Sequence, residues 1–138
     1  MATIARATAA LRISGESLNP SEITVLLGAS PTTAQHKGEE LVGRSGVSRI
    51  AKFGMWRLAA AETSPADLDA QVREIIAQVS SDISVWSDLA SRYDIDLFCG
   101  WFMEKGNEGQ DISASTLREL GIRGIELSLD IYAGDKDT

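Results

Sequence analysis

Apolar and polar positions along the chain alternate in two distinct periods. Over residues 7 to 14, Ala7, Ala9, Leu11 and Ile13 fall on one phase and Thr8, Ala10, Arg12 and Ser14 on the other, the period of a half-buried strand. Asn19 then stands before Pro20, a capping side chain followed by a residue whose fixed φ suits the first helical turn. Ile23, Leu26 and Leu27 make a short apolar stripe that Gly28 ends, so a short helix is predicted there. Residues 29 to 52 break every period with Pro31, Gly38, Gly43 and Gly46 and read as a long loop with room for short strand pieces. Residues 53 to 61 alternate again, with Trp56, Leu58 and Ala60 against Met55, Arg57 and Ala59. Ser64-Pro65 opens the longest predicted helix, in which Leu68, Val72, Ile75, Ile76, Val79, Ile83, Trp86, Ala90 and Tyr93 recur at steps of three and four. Ser80-Ser81-Asp82 prefer caps to helix interiors, so this helix kinks or restarts there.

The clearest strand covers residues 94 to 104, with Ile95, Leu97, Cys99, Trp101 and Met103 against Asp96, Phe98, Gly100, Phe102 and Glu104. Ser113 caps a short helix carrying Leu117 and Leu120 that stops at Gly121. A last strand sets Ile125, Leu127, Leu129 and Ile131 against Glu126, Ser128, Asp130 and Tyr132, and residues 134 to 138 are expected to fray. The two short helices share a grammar: Leu18-Asn19-Pro20-Ser21 and Ile112-Ser113-Ala114-Ser115 each lead with an apolar residue and a cap, and each helix ends in Leu-Gly. These elements predict an α+β fold with a four-stranded antiparallel or mixed sheet and helices mainly on one face. Two split βαβ-like halves are joined by the long helix. With 138 residues the chain is expected to be a single domain, residues 1 to 138, with its core in about residues 7 to 132.

Composition removes several classes of function. Twenty acidic against thirteen basic residues give a net charge of −7, which disfavours nucleic acid phosphates and anionic lipid. Hydrophobic residues at 43% exclude disorder as a whole-chain reading. A single cysteine excludes an internal disulfide, and one histidine with one cysteine leaves too few ligands for zinc, so no metal and no cofactor is expected. No apolar run reaches the ~18 residues of a membrane span, and the first residues lack a leader pattern, so a soluble cytoplasmic protein is expected. Within this acidic chain, residues 36 to 57 hold Lys37, Arg44, Arg49, Lys52 and Arg57 against only Glu39 and Glu40, a basic loop on an acidic body.

Several short words follow one another along the chain: Leu11-Arg12-Ile13-Ser14-Gly15, Leu18-Asn19-Pro20-Ser21-Glu22-Ile23-Thr24, Leu26-Leu27-Gly28, Pro31-Thr32, Lys37-Gly38-Glu39, Trp56-Arg57-Leu58, Leu97-Phe98-Cys99-Gly100 and Leu129-Asp130-Ile131-Tyr132. Together they resemble the bacterial family of domains of unknown function DUF4279 over nearly the whole chain. The resemblance implies a single domain and carries no activity, cofactor or catalytic residue with it. The loop around residues 44 to 52 matches none of these words, so a role for it belongs to this protein alone.

The residues offer three candidate chemistries. Cys99 with His36 as its base has the residue types of thiol catalysis, but Cys99 sits on the apolar phase between Leu97 and Trp101, where a thiol acts as a small buried hydrophobe. Asp96, Glu104, Glu126 and Asp130 share the polar phase of two strands and could form an acid–base pair, or simply a solvated sheet face. The third candidate is that polar phase as a whole. If helices cover one side only, the other presents Met55, Phe98, Phe102 and Tyr132 among Arg12, Arg57, Asp96 and Asp130, the makeup of a binding surface, unless the basic loop folds over it. No catalytic constellation is assembled. The expected function is therefore a non-enzymatic protein-binding module whose partner is another protein or a second copy, with enzymatic activity left open. The alternative is a small-molecule binder or enzyme using a cleft between the 29 to 52 loop and the sheet, with His36, Lys37, Arg57, Asp96 and Asp130 as its polar groups.

Overall fold

In the computed structural model, which describes residues 2 to 134, the first alternation becomes strand β1 (Arg6–Gly15). Helix α1 (Pro20–Leu27) follows as its caps require: the Asn19 side chain accepts from the Ser21 amide at 3.0 Å, and Gly28 adopts a left-handed φ of 68°. The loop expected over residues 29 to 52 holds three strands of three residues each, β2 (Thr33–Gln35), β3 (Glu40–Val42) and β4 (Ser48–Ile50). Next come β5 (Gly54–Ala59), helices α2 (Leu68–Ile76) and α3 (Ile83–Arg92), strand β6 (Asp94–Phe102), helix α4 (Ala114–Ile122) and strand β7 (Glu126–Tyr132).

The sheet differs from the one expected. It has five strands in the order β2-β5-β1-β6-β7, because β2 adds to the outer edge of β5, while β3 and β4 form a separate two-stranded hairpin. Pairing is antiparallel from β2 through β6 and parallel between β6 and β7, so the sheet is mixed. The two halves are also unlike. β1 and β5 are antiparallel neighbours, whereas β6-α4-β7 is a direct βαβ unit with nothing inserted between its strands.

The expected long helix is two helices. The chain restarts at Asp82, whose carboxylate accepts from the Ser84 amide, and the Trp86 indole donates to the Ser80 carbonyl at 2.7 Å, tying the break to the second helix. Its start also moves: Asp67, accepting from the Ala70 amide, caps α2, and Ser64-Pro65 lies outside it. α4 runs past Gly121 to Ile122, and Gly124, with φ 70°, supplies the left-handed turn.

The four helices among the described residues lie on one side, α1 against β5, α2 against β1, α3 against β6 and α4 against β7. The strand phase beneath them, Ala7, Ala9, Leu11, Ile13, Trp56, Leu58, Ile95, Leu97, Cys99 and Trp101, is buried and joins Ile23, Leu27, Leu68, Val72, Ile75, Trp86 and Leu89 in one core. Ile83, expected in that stripe, turns outward. Leu129 and Ile131, also expected in the core, are 42% and 52% exposed because β7 is the edge strand and burial falls away along it from Ile125. Of the segment expected to fray, Gly134 packs so closely that a Cβ there would lie 2.5 Å from the Glu104 and Lys105 backbone; residues 135 to 138 lie outside the described residues.

Candidate functional site

With every helix on one face, the other face of the sheet is built by the polar phases of the strands, and the register sets them in rows. One row reads Thr33, Arg57, Arg12, Asp96, Glu126 across all five strands. On one side of it lies the row Gln35, Met55, Ser14, Asp94, and on the other Ala59, Ala10, Phe98, Ser128. Farther along come Thr8, Gly100 and Asp130, then Arg6, Phe102 and Tyr132.

Arg12 and Asp96 are the centre of this face. The guanidinium donates to both carboxylate oxygens, at 2.9 and 2.6 Å, and lies over the Phe98 ring at 4.3 Å from its centre. The Ser128 hydroxyl, from β7, donates to the same carboxylate at 3.0 Å. The hydrogen bond it donates to Asp96 holds the Arg12 guanidinium above its ordinary pKa. Because the pair is bidentate and half-buried, Asp96→Ala should cost about 1–2 kcal/mol, more than a surface ion pair. A urea midpoint shift at constant slope reads this directly, and a change under about 0.3 kcal/mol would show that the pair contributes nothing.

At the other end of the strands the Arg6 guanidinium sits 3.8 Å from the centre of the Phe102 ring, which stacks on Tyr132 at 4.7 Å and 4°. Arg6 also pairs with Glu62 at 2.9 Å. The Tyr132 hydroxyl donates to Asp130 at 2.8 Å, and the carboxylate pushes the phenol pKa up. Sequence reasoning missed Arg6, although it continues the phase of Thr8, Ala10 and Arg12 by one step.

The basic loop covers one corner only. Leu41 and Arg49 of the hairpin share a hollow of about 240 Å³ with Thr33, Gln35 and Met55. Phe53 closes one side of a cleft of about 310 Å³ whose other walls are Arg12, Ser14, Met55, Asp94, Ile95, Asp96 and Glu126. Phe102 and Tyr132, at the opposite end, have no such cover among the described residues, and Tyr132 is 49% exposed. Of the five polar groups expected in a cleft, Asp96 alone lines this one. His36 is exposed and its carbonyl accepts from the Glu39 amide, Lys37 pairs with Glu16, Arg57 stands one strand away, and Asp130 lies two rows off beside Tyr132. Phe53, Asp94 and Ser14 line the cleft without having been singled out as site residues in the sequence. A second hollow, of about 490 Å³ between α2 and α4, is on the helical side and contains no candidate residue.

The carboxylates do not converge either. Asp96 and Glu126 share a row, but Asp130 is farther along the strands and Glu104 lies beyond the end of β6. Among the described residues no group of three or more His, Cys, Asp or Glu is placed to hold a metal ion. No helix among them is long and apolar enough to cross a membrane. A family model described as Domain of unknown function (DUF4279) matches residues 5 to 134, nearly the whole chain. The chain belongs to the DUF4279 family. No match was found among curated proteins or among solved structures. Within this DUF4279 domain, then, the described geometry offers a broad face of arginine and aromatic side chains edged by carboxylates, with one shallow cleft at its covered corner.

Proposed function

We propose that this DUF4279 domain is a non-enzymatic protein-binding module and that the open face of its sheet is the binding surface. The observation that carries the reading is the Arg6–Phe102–Tyr132 stack, which stands on a sheet face with no helix above it among the described residues. Arginine and aromatic groups dominate the energetics of protein interfaces because a flat ring excludes water over a large area while its rim, or the guanidinium, still satisfies polar partners. Asp94, Asp96, Glu126 and Asp130 on the same face would repel phosphate, so nucleic acid is a poor fit and a mixed-charge protein surface a good one.

A photo-activatable side chain placed at Phe102 should cross-link to a protein identifiable by mass spectrometry in the native cell, whether another copy of this chain or a different protein. The same group at Val25, 79% exposed on α1 of the helical side, serves as the control. Equal, background yields at both positions would dispose of the proposal.

A further inference from the structure

Reading the open face as a protein-binding surface, we infer that its partner is a second copy of this chain, seated face to face about a two-fold axis that runs parallel to the strands between β1 and β6. The central row is antisymmetric in charge about that line: Arg57 on β5 and Arg12 on β1 are positive, Asp96 on β6 and Glu126 on β7 negative. A two-fold rotation about an axis along the strands keeps each row at its own height and exchanges left with right. It therefore sets Arg57 over the partner copy's Glu126 twice, and brings the two Arg12–Asp96 pairs together around the axis.

Two rows toward the Phe102 end fit the same rotation. Ala59 and Ala10 are small where their row carries Phe98 on β6, so the rotation sets Phe98 of one copy over the shorter side chains of the other. Arg6 of each copy comes level with Phe102 of the other, at the edge of the Arg6–Phe102–Tyr132 stack that each copy has already formed. Arg57 and Glu126 are the groups the isolated chain leaves over, since neither makes an ion pair or a side-chain hydrogen bond among the described residues, whereas Arg12 and Asp96 are already joined. The hairpin fits the arrangement too. Arg49 lines the Met55 corner, and the rotation carries that corner to the partner's Asp94 and Glu126. Arg44, Arg49 and Lys52 make no ion pair among the described residues, and Val42, Val47 and Ile50 beside them are 69%, 70% and 59% exposed.

Four strands about 4.8 Å apart and about seven residues long project roughly 450 Å² per copy. With side-chain relief and both hairpins the total reaches the ~1,200 Å² at which specific interfaces begin, so a modest, salt-sensitive dimer is expected.

Sedimentation velocity of the full chain over a range of concentrations tests this. Arg57→Glu and Glu126→Arg should each weaken self-association at least about tenfold, because each puts two like-charge contacts into the dimer. Carrying both substitutions in one chain exchanges the charges and should restore it. An equimolar mixture of the two single variants should pair with each other, with circular dichroism confirming that every variant is folded. A wild-type chain that stays monomeric at millimolar concentration overturns the inference. So does a dimer indifferent to the single reversals, or a folded double variant that fails to recover. A monomeric chain whose residue 102 still cross-links to a different protein defeats the two-fold pairing and leaves the binding-module reading standing; absence of both removes the two together.

Discussion

Trp56→Ala should destabilise the domain by about 3–5 kcal/mol, the largest loss expected from any single side chain on β5. Trp56 has no exposed surface, stands opposite Ile13 of β1 and Ala34 of β2, and its indole donates to the Thr24 hydroxyl of α1 at 3.0 Å. One side chain thus joins the central strand, the edge strand and the first helix. Truncation removes the indole's transfer free energy and leaves a cavity that strands on both sides keep from collapsing. Against a total stability of ~5–15 kcal/mol for a domain of this kind, that is about a fifth or more of the whole. Trp56→Phe keeps most of the volume and loses the hydrogen bond, so about 1–2 kcal/mol is expected. Urea unfolding followed by circular dichroism separates the two. A cost below about 1.5 kcal/mol for the alanine variant would mean that α1 is not docked on β5 as described.

The elements whose burial depends on their own neighbours were readable in the chain. β6 lies between β1 and β7, so its alternation runs unbroken and sorts Cys99 from Phe98 correctly. Asn19-Pro20 and Gly28 bound α1 because capping is a local hydrogen-bond problem. Ser80-Ser81-Asp82 marked the break between α2 and α3 for the same reason. Readability failed where distant partners decide. β2, β3 and β4 are too short to show a period, and β2 is a strand only because β5 offers it an edge. Leu129 and Ile131 have the core phase, yet their exposure follows from the place of β7 at the edge, which no local pattern encodes.

The candidate site divides along the same line. Met55, Arg57, Phe98, Phe102, Asp130 and Tyr132 fell on the open face by strand phase alone. That Arg12 meets Asp96, 84 residues away, is a matter of register and is invisible until the strands are paired. His36 and Lys37 are candidates because their residue types suit chemistry, and types carry no position: the fold puts Lys37 beside Glu16 instead, where its hydrogen bond and then its charge lower the Glu16 pKa.

Cys99 in the native protein should react with a thiol reagent some 10³-fold or more slowly than an exposed cysteine, at a rate set by opening of the fold. It is fully buried between Ala9 and Leu129 in register, its sulfur faces the Leu97 carbonyl at 3.9 Å, and burial, with the Asp96 charge adding to it, pushes the thiol from its ordinary 9.0 up to about 12. Cys99→Ala should cost about 1 kcal/mol or somewhat more through the lost packing group. Cys99→Ser should cost more still, since a hydroxyl oxygen at the sulfur's place is too far from the Leu97 carbonyl for a hydrogen bond and would be buried unpaired. Alkaline pH gives an independent reading. The folded thiol stays protonated while the unfolded one ionises from about pH 9 upward, so the unfolded state binds fewer protons there. The stability held below pH 9 should then fall by up to ~1.4 kcal/mol per pH unit as the pH approaches about 12. Tyrosines and lysines titrate in the same window, and the part due to the thiol is the portion of the slope that Cys99→Ala removes. Rapid stoichiometric labelling of the folded chain at neutral pH would mean an exposed, activated thiolate, reverse the phase of β6, and return Cys99 to the list of catalytic candidates.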